Sequence, residues 1–136
     1  MLSKAQILLG DDDPDDHRIL KDCFSDLHWE FELITFLNGS EVLTYLRNNE
    51  LLPDLVILDV NMPKMDGFET LARIKSTPQH AHLPVIIYST ACNEREKRLC
   101  RQLGAFLCER KGKSFGESLA FATRVKNILD EKKSKS

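Results

Sequence analysis

The chain has 136 residues, 42% of them hydrophobic, with 19 basic and 21 acidic side chains and a formal net charge of −2. That length suits one domain around one core. The charge balance excludes a general attraction to nucleic acid or anionic membrane, and the apolar runs are too short to span a bilayer. The start, Met1-Leu2-Ser3-Lys4, lacks the apolar stretch of a secretory signal. Cys23, Cys92, Cys100 and Cys108 fit no CxxC or metal-finger spacing. They read as free thiols on apolar faces, in a reducing, cytoplasmic setting.

Short apolar runs at about 6–10, 31–36, 54–59, 84–89 and 105–108 predict strands. Several are almost continuously apolar, as in Val85-Ile86-Ile87-Tyr88, the pattern of parallel strands covered on both faces. An amphipathic segment follows each run. Asp13 and Pro14 read as the cap and first residue of the first helix, with Asp15 and Asp16 favourable in its first turn. Leu20, Cys23, Phe24 and Leu27 mark its buried face. Ser40 is the expected cap of a second helix through Tyr45 and Leu46. A third runs from about Gly67 to Lys75, before Pro78. Asn93 with Glu96, and Ser114 with Glu117, have capping-box spacing for the fourth and fifth helices. Gly104 ends the fourth. Leu119, Ala122, Val125 and Leu129 form the buried stripe of the last, and Phe106 is expected in the core. The polar stretch 131–136 reads as a frayed tail after a domain at 1–130.

Strict alternation of strand and helix implies an α/β fold, a doubly wound parallel sheet of five strands flanked by five helices. Ligands of such sheets bind beyond the carboxyl ends of the strands. Those ends carry polar residues that packing does not require. The first strand runs into Asp11 and Asp12, the third into Asp59 and then Asn61, the fourth into Ser89 and Thr90, and the fifth leads to Lys111. Two carboxylates about 4 Å apart repel by roughly 4 kcal/mol at an effective dielectric near 20, so such a cluster calls for a cation. Carboxylates with a backbone carbonyl suit Mg²⁺. A hydroxyl and a lysine can hold phosphoryl oxygens, and a carboxylate can attack phosphorus. Together they read as phosphoryl transfer to an aspartate.

Asp11-Asp12, then Asp59 in Asp-Val-Asn-Met-Pro, Gly67, Pro84-Val-Ile-Ile-Tyr-Ser89, Gly104-Ala105 and Lys111 follow one another in a specific order. Over residues 5–130 the chain resembles a response-regulator receiver domain of two-component signalling, of the stand-alone, chemotaxis-regulator type. The resemblance implies a flavodoxin-like sheet of order 2-1-3-4-5. It implies a non-enzymatic signalling protein that accepts phosphoryl on Asp59 from a histidine kinase or histidine phosphotransfer protein and then switches an output partner. It assigns Mg²⁺ to Asp11, Asp12, Asp59 and the carbonyl of Asn61, the switch hydroxyl to Ser89, and phosphate binding to Lys111. Ser89 is chosen over Thr90 because the family hydroxyl lies five residues after the proline that opens the strand. The expected assembly is a monomer or weak dimer.

Three positions depart from the family pattern. Gly112 replaces the proline that usually follows the lysine, which leaves that loop freer. Cys108 stands where an aromatic residue is frequent, and Gly10 where an apolar one is. Three other readings compete. A haloacid-dehalogenase-like phosphatase would use Asp11 as nucleophile and Asp13 as acid, but has no use for Asp59. A calcium loop starting at Asp11 would have Asp16 in place of glycine and Asp22 in place of glutamate. The third is a receiver fold used only for binding. Asp13, Asp15 and Asp16 are read as helix-start residues, and His80 and His82 as lacking a third metal ligand.

Overall fold

The computed structural model describes residues 4–134; Met1–Ser3, with the absence of a signal sequence read there, lie outside them, as do residues 135 and 136. The elements alternate as expected: β1 (Ala5–Gly10), α1 (Pro14–Asp26), β2 (Phe31–Phe36), α2 (Gly39–Asn48), β3 (Leu55–Leu58), α3 (Gly67–Ser76), β4 (Val85–Ser89), α4 (Glu94–Leu103), β5 (Leu107–Arg110) and α5 (Phe115–Ser134). The strands form one parallel sheet of order β2-β1-β3-β4-β5.

Two apolar layers sandwich the sheet. On one face Leu20, Cys23 and Phe24 of α1 meet Phe121, Ala122, Val125 and Leu129 of α5 over Ile7, Leu9, Ile57 and Ile86. On the other face α2, α3 and α4 bring Val42, Leu46, Leu71, Ile74 and Cys100 against Leu8, Val56, Leu58 and Ile87. The alternation along β1 and β3 sends successive side chains to opposite layers, so β3 is wholly apolar and β1 is apolar apart from Gln6 near its start. Trp29 and Phe31 close the first layer by packing against Phe24, with ring centroids 5.6 and 5.5 Å away. No helix among the described residues is long and apolar enough to cross a membrane.

The caps hold where one residue type leaves little choice. Asp13 accepts from the Asp15 amide at 2.9 Å with Pro14 at the first helical position. Asn93 and Glu96 form a complete capping box, and Gly104 ends α4 in the left-handed region at φ 90°. Four expectations need correction. Asn38, not Ser40, caps α2: its side chain accepts from the Glu41 amide, and Glu41 reaches back to Leu37 N–H. The fifth strand is 107–110 rather than 105–108. It is an edge strand with one side unpaired, so Glu109 and Arg110 can continue the ladder. Phe106 therefore precedes the strand and is 58% exposed instead of filling the core. Finally, the stretch expected to fray stays helical to Ser134.

Candidate functional site

The sheet register builds the site before any side chain is considered. Gly10 pairs with Leu58, so Asp11 and Asp59 are the first residues past adjacent strand ends. The Asp59 amide donates to the Gly10 carbonyl at 2.9 Å, and the Asp11 amide to Phe36 at 3.0 Å. Leu58 pairs with Ile87, and Ser89 with Arg110. The Lys111 amide then donates to the Ser89 carbonyl at 3.1 Å. Asp11, Asp59, Ser89 and Lys111 thus share one rim of the sheet. Loop shape reinforces this at Gly67. Its amide donates to Val60, and a Cβ there would lie 2.2 Å from the Asp59 carbonyl oxygen. Gly10 likewise leaves room for Leu58 and Val42, whose atoms would lie 3.0 and 3.2 Å from a Cβ.

Carboxylate oxygens of Asp11, Asp12 and Asp59 lie within 4.8 Å of one another. Asp11 and Asp59 are buried and Asp12 is exposed. One cation opposes them: Lys111 Nζ lies 2.7 Å from Asp11, 2.7 Å from Asp16 and 3.1 Å from Asp59. Burial disfavours the Lys111 ammonium, but its bonds to Asp11 and Asp16 and the charges of Asp11 and Asp59 prevail, so its pKa is raised. Burial pushes the Asp11 carboxyl up, although Lys111 and the Asp13 amide bond to it and pull the other way. Four carboxylates against one ammonium leave surplus negative charge in a pocket whose donors are all oxygen. That donor set fits a hard divalent cation. Asn61 is exposed in the loop two residues past Asp59, whose Oδ1 accepts the Val60 amide at 2.7 Å.

The buried Ser89 hydroxyl accepts from the Ala91 amide at 3.2 Å, while the neighbouring Thr90 is exposed. Tyr88 fixes the lysine loop from below, since its hydroxyl accepts from the Gly112 amide at 3.4 Å. A Cβ at Gly112 would come within 2.6 Å of the Glu117 side chain, so the close turn into α5 excludes larger residues there.

Asp16 was read as a helix-start residue alone, and its contact with Lys111 brings it into the site. His17, one residue on, donates its Nε2–H to the Asp11 carbonyl at 2.7 Å and steadies the same corner. Asp13, which the phosphatase reading makes a general acid, is engaged as the cap of α1. His80 is buried and His82 exposed, and neither belongs to a potential metal cluster among the described residues.

Residues 7–116 match the profile of the response regulator receiver domain, so the chain belongs to that family. Its acidic pocket of Asp11, Asp12 and Asp59 fits the phosphoacceptor site of such domains. Among individual relatives, the response regulator Rcp1 of Synechocystis is 34% identical over 93 residues, which are 65% of this chain and 63% of Rcp1. The cyclic-nucleotide phosphodiesterase regA of Dictyostelium discoideum is 38% identical over 87 residues, but these are only 11% of that longer protein against 64% of this chain. The crystal structure of the phosphorylated cyanobacterial phytochrome response regulator RcpA superposes with a TM-score of 0.86 at 29% identity, covering 93% of this chain and 94% of RcpA. A manganese-bound form of Rcp1 superposes at 0.80 with 26% identity, covering 89% and 91%.

Proposed function

We propose that this protein is a phosphorylation-dependent switch in which Asp59 accepts a phosphoryl group from the phosphohistidine of a histidine kinase or histidine phosphotransfer protein. The supporting observation is the convergence of Asp11, Asp12 and Asp59 within 4.8 Å beside the Lys111 ammonium. An Asp59 carboxylate oxygen forms the new P–O bond while the donor's P–N bond breaks, and the imidazole leaves with that electron pair. Lys111 keeps one cation against the transferring oxygens, where positioning and charge stabilisation carry most of the catalysis. Asp11, Asp12, Asp59 and the Asn61 carbonyl would hold Mg²⁺, which would supply the positive charge that lets an anionic donor approach these carboxylates. The manganese-bound form of Rcp1 supports a divalent ion at such a site.

Once Asp59 carries phosphate, Ser89 exchanges its bond to the Ala91 amide for one to a phosphoryl oxygen, and the β4–α4 loop follows it. Inverting a 1:99 population takes about 5.5 kcal/mol, within reach of a few charge-assisted hydrogen bonds. The altered β4–α4 region then binds an output protein differently, and the setting is the cytoplasm. On this reading the chain signals and does not turn over a substrate of its own.

Incubation with a small acyl phosphate and Mg²⁺, followed by intact-mass measurement, tests the proposal. One added phosphoryl group is expected, and Asp59→Asn abolishes it. A folded chain that takes up no phosphate under these conditions is a binding module instead. Labelling that survives Asp59→Asn refutes the assignment of the acceptor.

A further inference from the structure

The Sγ atoms of Cys92 and Cys108 lie 3.3 Å apart. These residues are 16 apart in sequence and sit on different elements, Cys92 in the β4–α4 loop and Cys108 on β5. The contact is not an isolated touch. Arg110 Nη2 donates to the Cys92 carbonyl at 3.3 Å, and the Cys92 amide donates to Thr90 at 3.1 Å. The loop is therefore held against β5 by the Arg110 guanidinium and the thiol pair together. A disulfide has an S–S separation of about 2.05 Å, so closure needs a movement of about 1.2 Å, within the reach of side-chain torsions. Cys92 is buried, whereas Cys108 is half-buried and lines a cavity of about 260 Å³ with Lys97, Cys100, Arg101 and Phe106. That cavity gives a small neutral oxidant a route to one sulfur, and Lys97 beside it offsets part of the burial that disfavours a Cys108 thiolate.

We propose that Cys92 and Cys108 form a reversible intramolecular disulfide under peroxide, and that this bond locks the β4–α4 loop. The Cys108 thiolate attacks the peroxide, the O–O bond breaks, and sulfenic acid and hydroxide form. The Cys92 thiol then attacks the sulfenic sulfur, the S–O bond breaks, and water leaves as the S–S bond closes. Two electrons pass from the two sulfurs to one peroxide, and a dithiol reverses the step by exchange. Burial raises both thiols, to about 11, so at neutral pH the pair stays largely protonated and responds to sustained rather than trace oxidant. Cys92 is three residues past Ser89, in the segment whose movement the phosphoryl switch requires. The crosslink therefore opposes that movement, a consequence that rests on the function proposed above, whereas the bond itself does not.

The full chain, reduced and then treated with hydrogen peroxide, is digested without reductant and mapped by mass spectrometry. A peptide pair joined through Cys92 and Cys108, lighter by two hydrogens, is expected, and a dithiol separates it. It persists in Asp59→Asn and in Cys100→Ala and is absent from Cys108→Ala. A Cys100–Cys108 link, or oxidation of Cys108 to sulfinic acid with Cys92 left free, overturns the proposal. Because the wild-type chain carries this readout, a variant that fails to fold does not remove the test. In a second measurement the oxidised chain takes up phosphoryl from the small donor about tenfold more slowly, as expected if the competent loop state becomes about ten times rarer, and dithiol restores the rate. A crosslink with unchanged uptake overturns the lock. If the reduced chain also takes up none, the phosphoacceptor reading fails and the disulfide stands.

Discussion

The Asp16 carboxylate, on the first turn of α1, binds the Lys111 ammonium at 2.7 Å and gives it a partner outside the Asp11–Asp59 pair that it also touches. A divalent cation entering the pocket competes with Lys111 for oxygens of Asp11 and Asp59. Asp16 lowers the cost of that competition, because the lysine can swing toward it without losing its last anionic contact. Asp16→Asn is therefore expected to weaken Mn²⁺ or Mg²⁺ binding by about 1 kcal/mol, or about fivefold in dissociation constant. Asp16→Glu should retain most of the affinity. Titration calorimetry at fixed ionic strength reads this directly. The same Asn substitution in a Lys111→Met background should have a smaller effect, and an equal effect there would reduce the role of Asp16 to bulk charge.

Lys111 itself is the cation that makes the metal-free pocket tolerable. Its side chain is 13% exposed and Asp11 2%, so removing the ammonium leaves a buried carboxylate without its partner. Breaking a buried pair in this way costs about 3–5 kcal/mol, and less where one end is open to water, as at Asp16. Lys111→Met should thus lose about 2–4 kcal/mol of unfolding free energy without metal, measured by urea denaturation in the presence of a chelator. Saturating Mg²⁺ should recover at least half of that loss, since only the folded pocket gathers the three carboxylates. A variant as stable as wild type without metal would mean that the cluster is well solvated and the lysine is not its neutraliser.

The strand ends were legible because burial on both faces demands unbroken apolar runs, and Asp11 and Asp59 interrupt two of them. Asp16 was hidden because an acidic residue in a first helical turn is explained locally by the helix dipole. Its partner lies 95 residues away, and nothing near Asp16 announces it. The cap of α2 was different. Asn38 precedes Glu41 by three residues, a visible capping-box spacing, but Ser40 is an equally good capping residue by type. Phe106 misled for the opposite reason: aromatic character predicts burial, yet an edge strand that starts two residues later than expected, at Leu107, leaves the ring outside. The proximity of Cys92 and Cys108 depends on how the β4–α4 loop folds back against β5, which periodicity does not encode.

Gly67 joins the start of α3 to the turn that follows Asp59. Its Cα packs so closely under the strand end that a methyl group would sit 2.2 Å from the Asp59 carbonyl oxygen and 3.0 Å from Val60 Cα. Both neighbours are backbone, so no rotamer change relieves the clash. Alanine normally gains about 0.5–1 kcal/mol over glycine inside a helix, but overpacking against a fixed main chain costs about 1–3 kcal/mol or more. Gly67→Ala should come out destabilised by about 2 kcal/mol and should slow phosphoryl uptake by moving Asp59. Denaturant midpoints and the mass-based uptake assay check the two effects separately. Stability equal to wild type would show that the β3–α3 turn yields more easily than its contacts indicate.

Tyr88 supports the lysine loop and carries a pH signature of its own. Its ring stacks on Phe121 with centroids 3.7 Å apart and planes 1° from parallel. Burial raises its phenol above the ordinary tyrosine range, although bonds from the Gly112 amide and with Ser118 and the charge of Lys111 favour the ionised form. A phenol with a raised folded pKa is harder to ionise in the native state than in the unfolded chain. Its contribution to stability is complete below pH 10 and is lost as pH rises through the folded pKa. Tyr88→Phe lacks this term. Below pH 9 the variant should be slightly less stable, by about 1 kcal/mol, from the lost bond to Gly112. Above about pH 10 the gap should narrow or reverse, because only the wild type then has to bury an ionising group. Parallel urea titrations across that range decide the matter. A gap that stays constant with pH would mean that the phenol ionises as freely in the folded protein as in the unfolded chain.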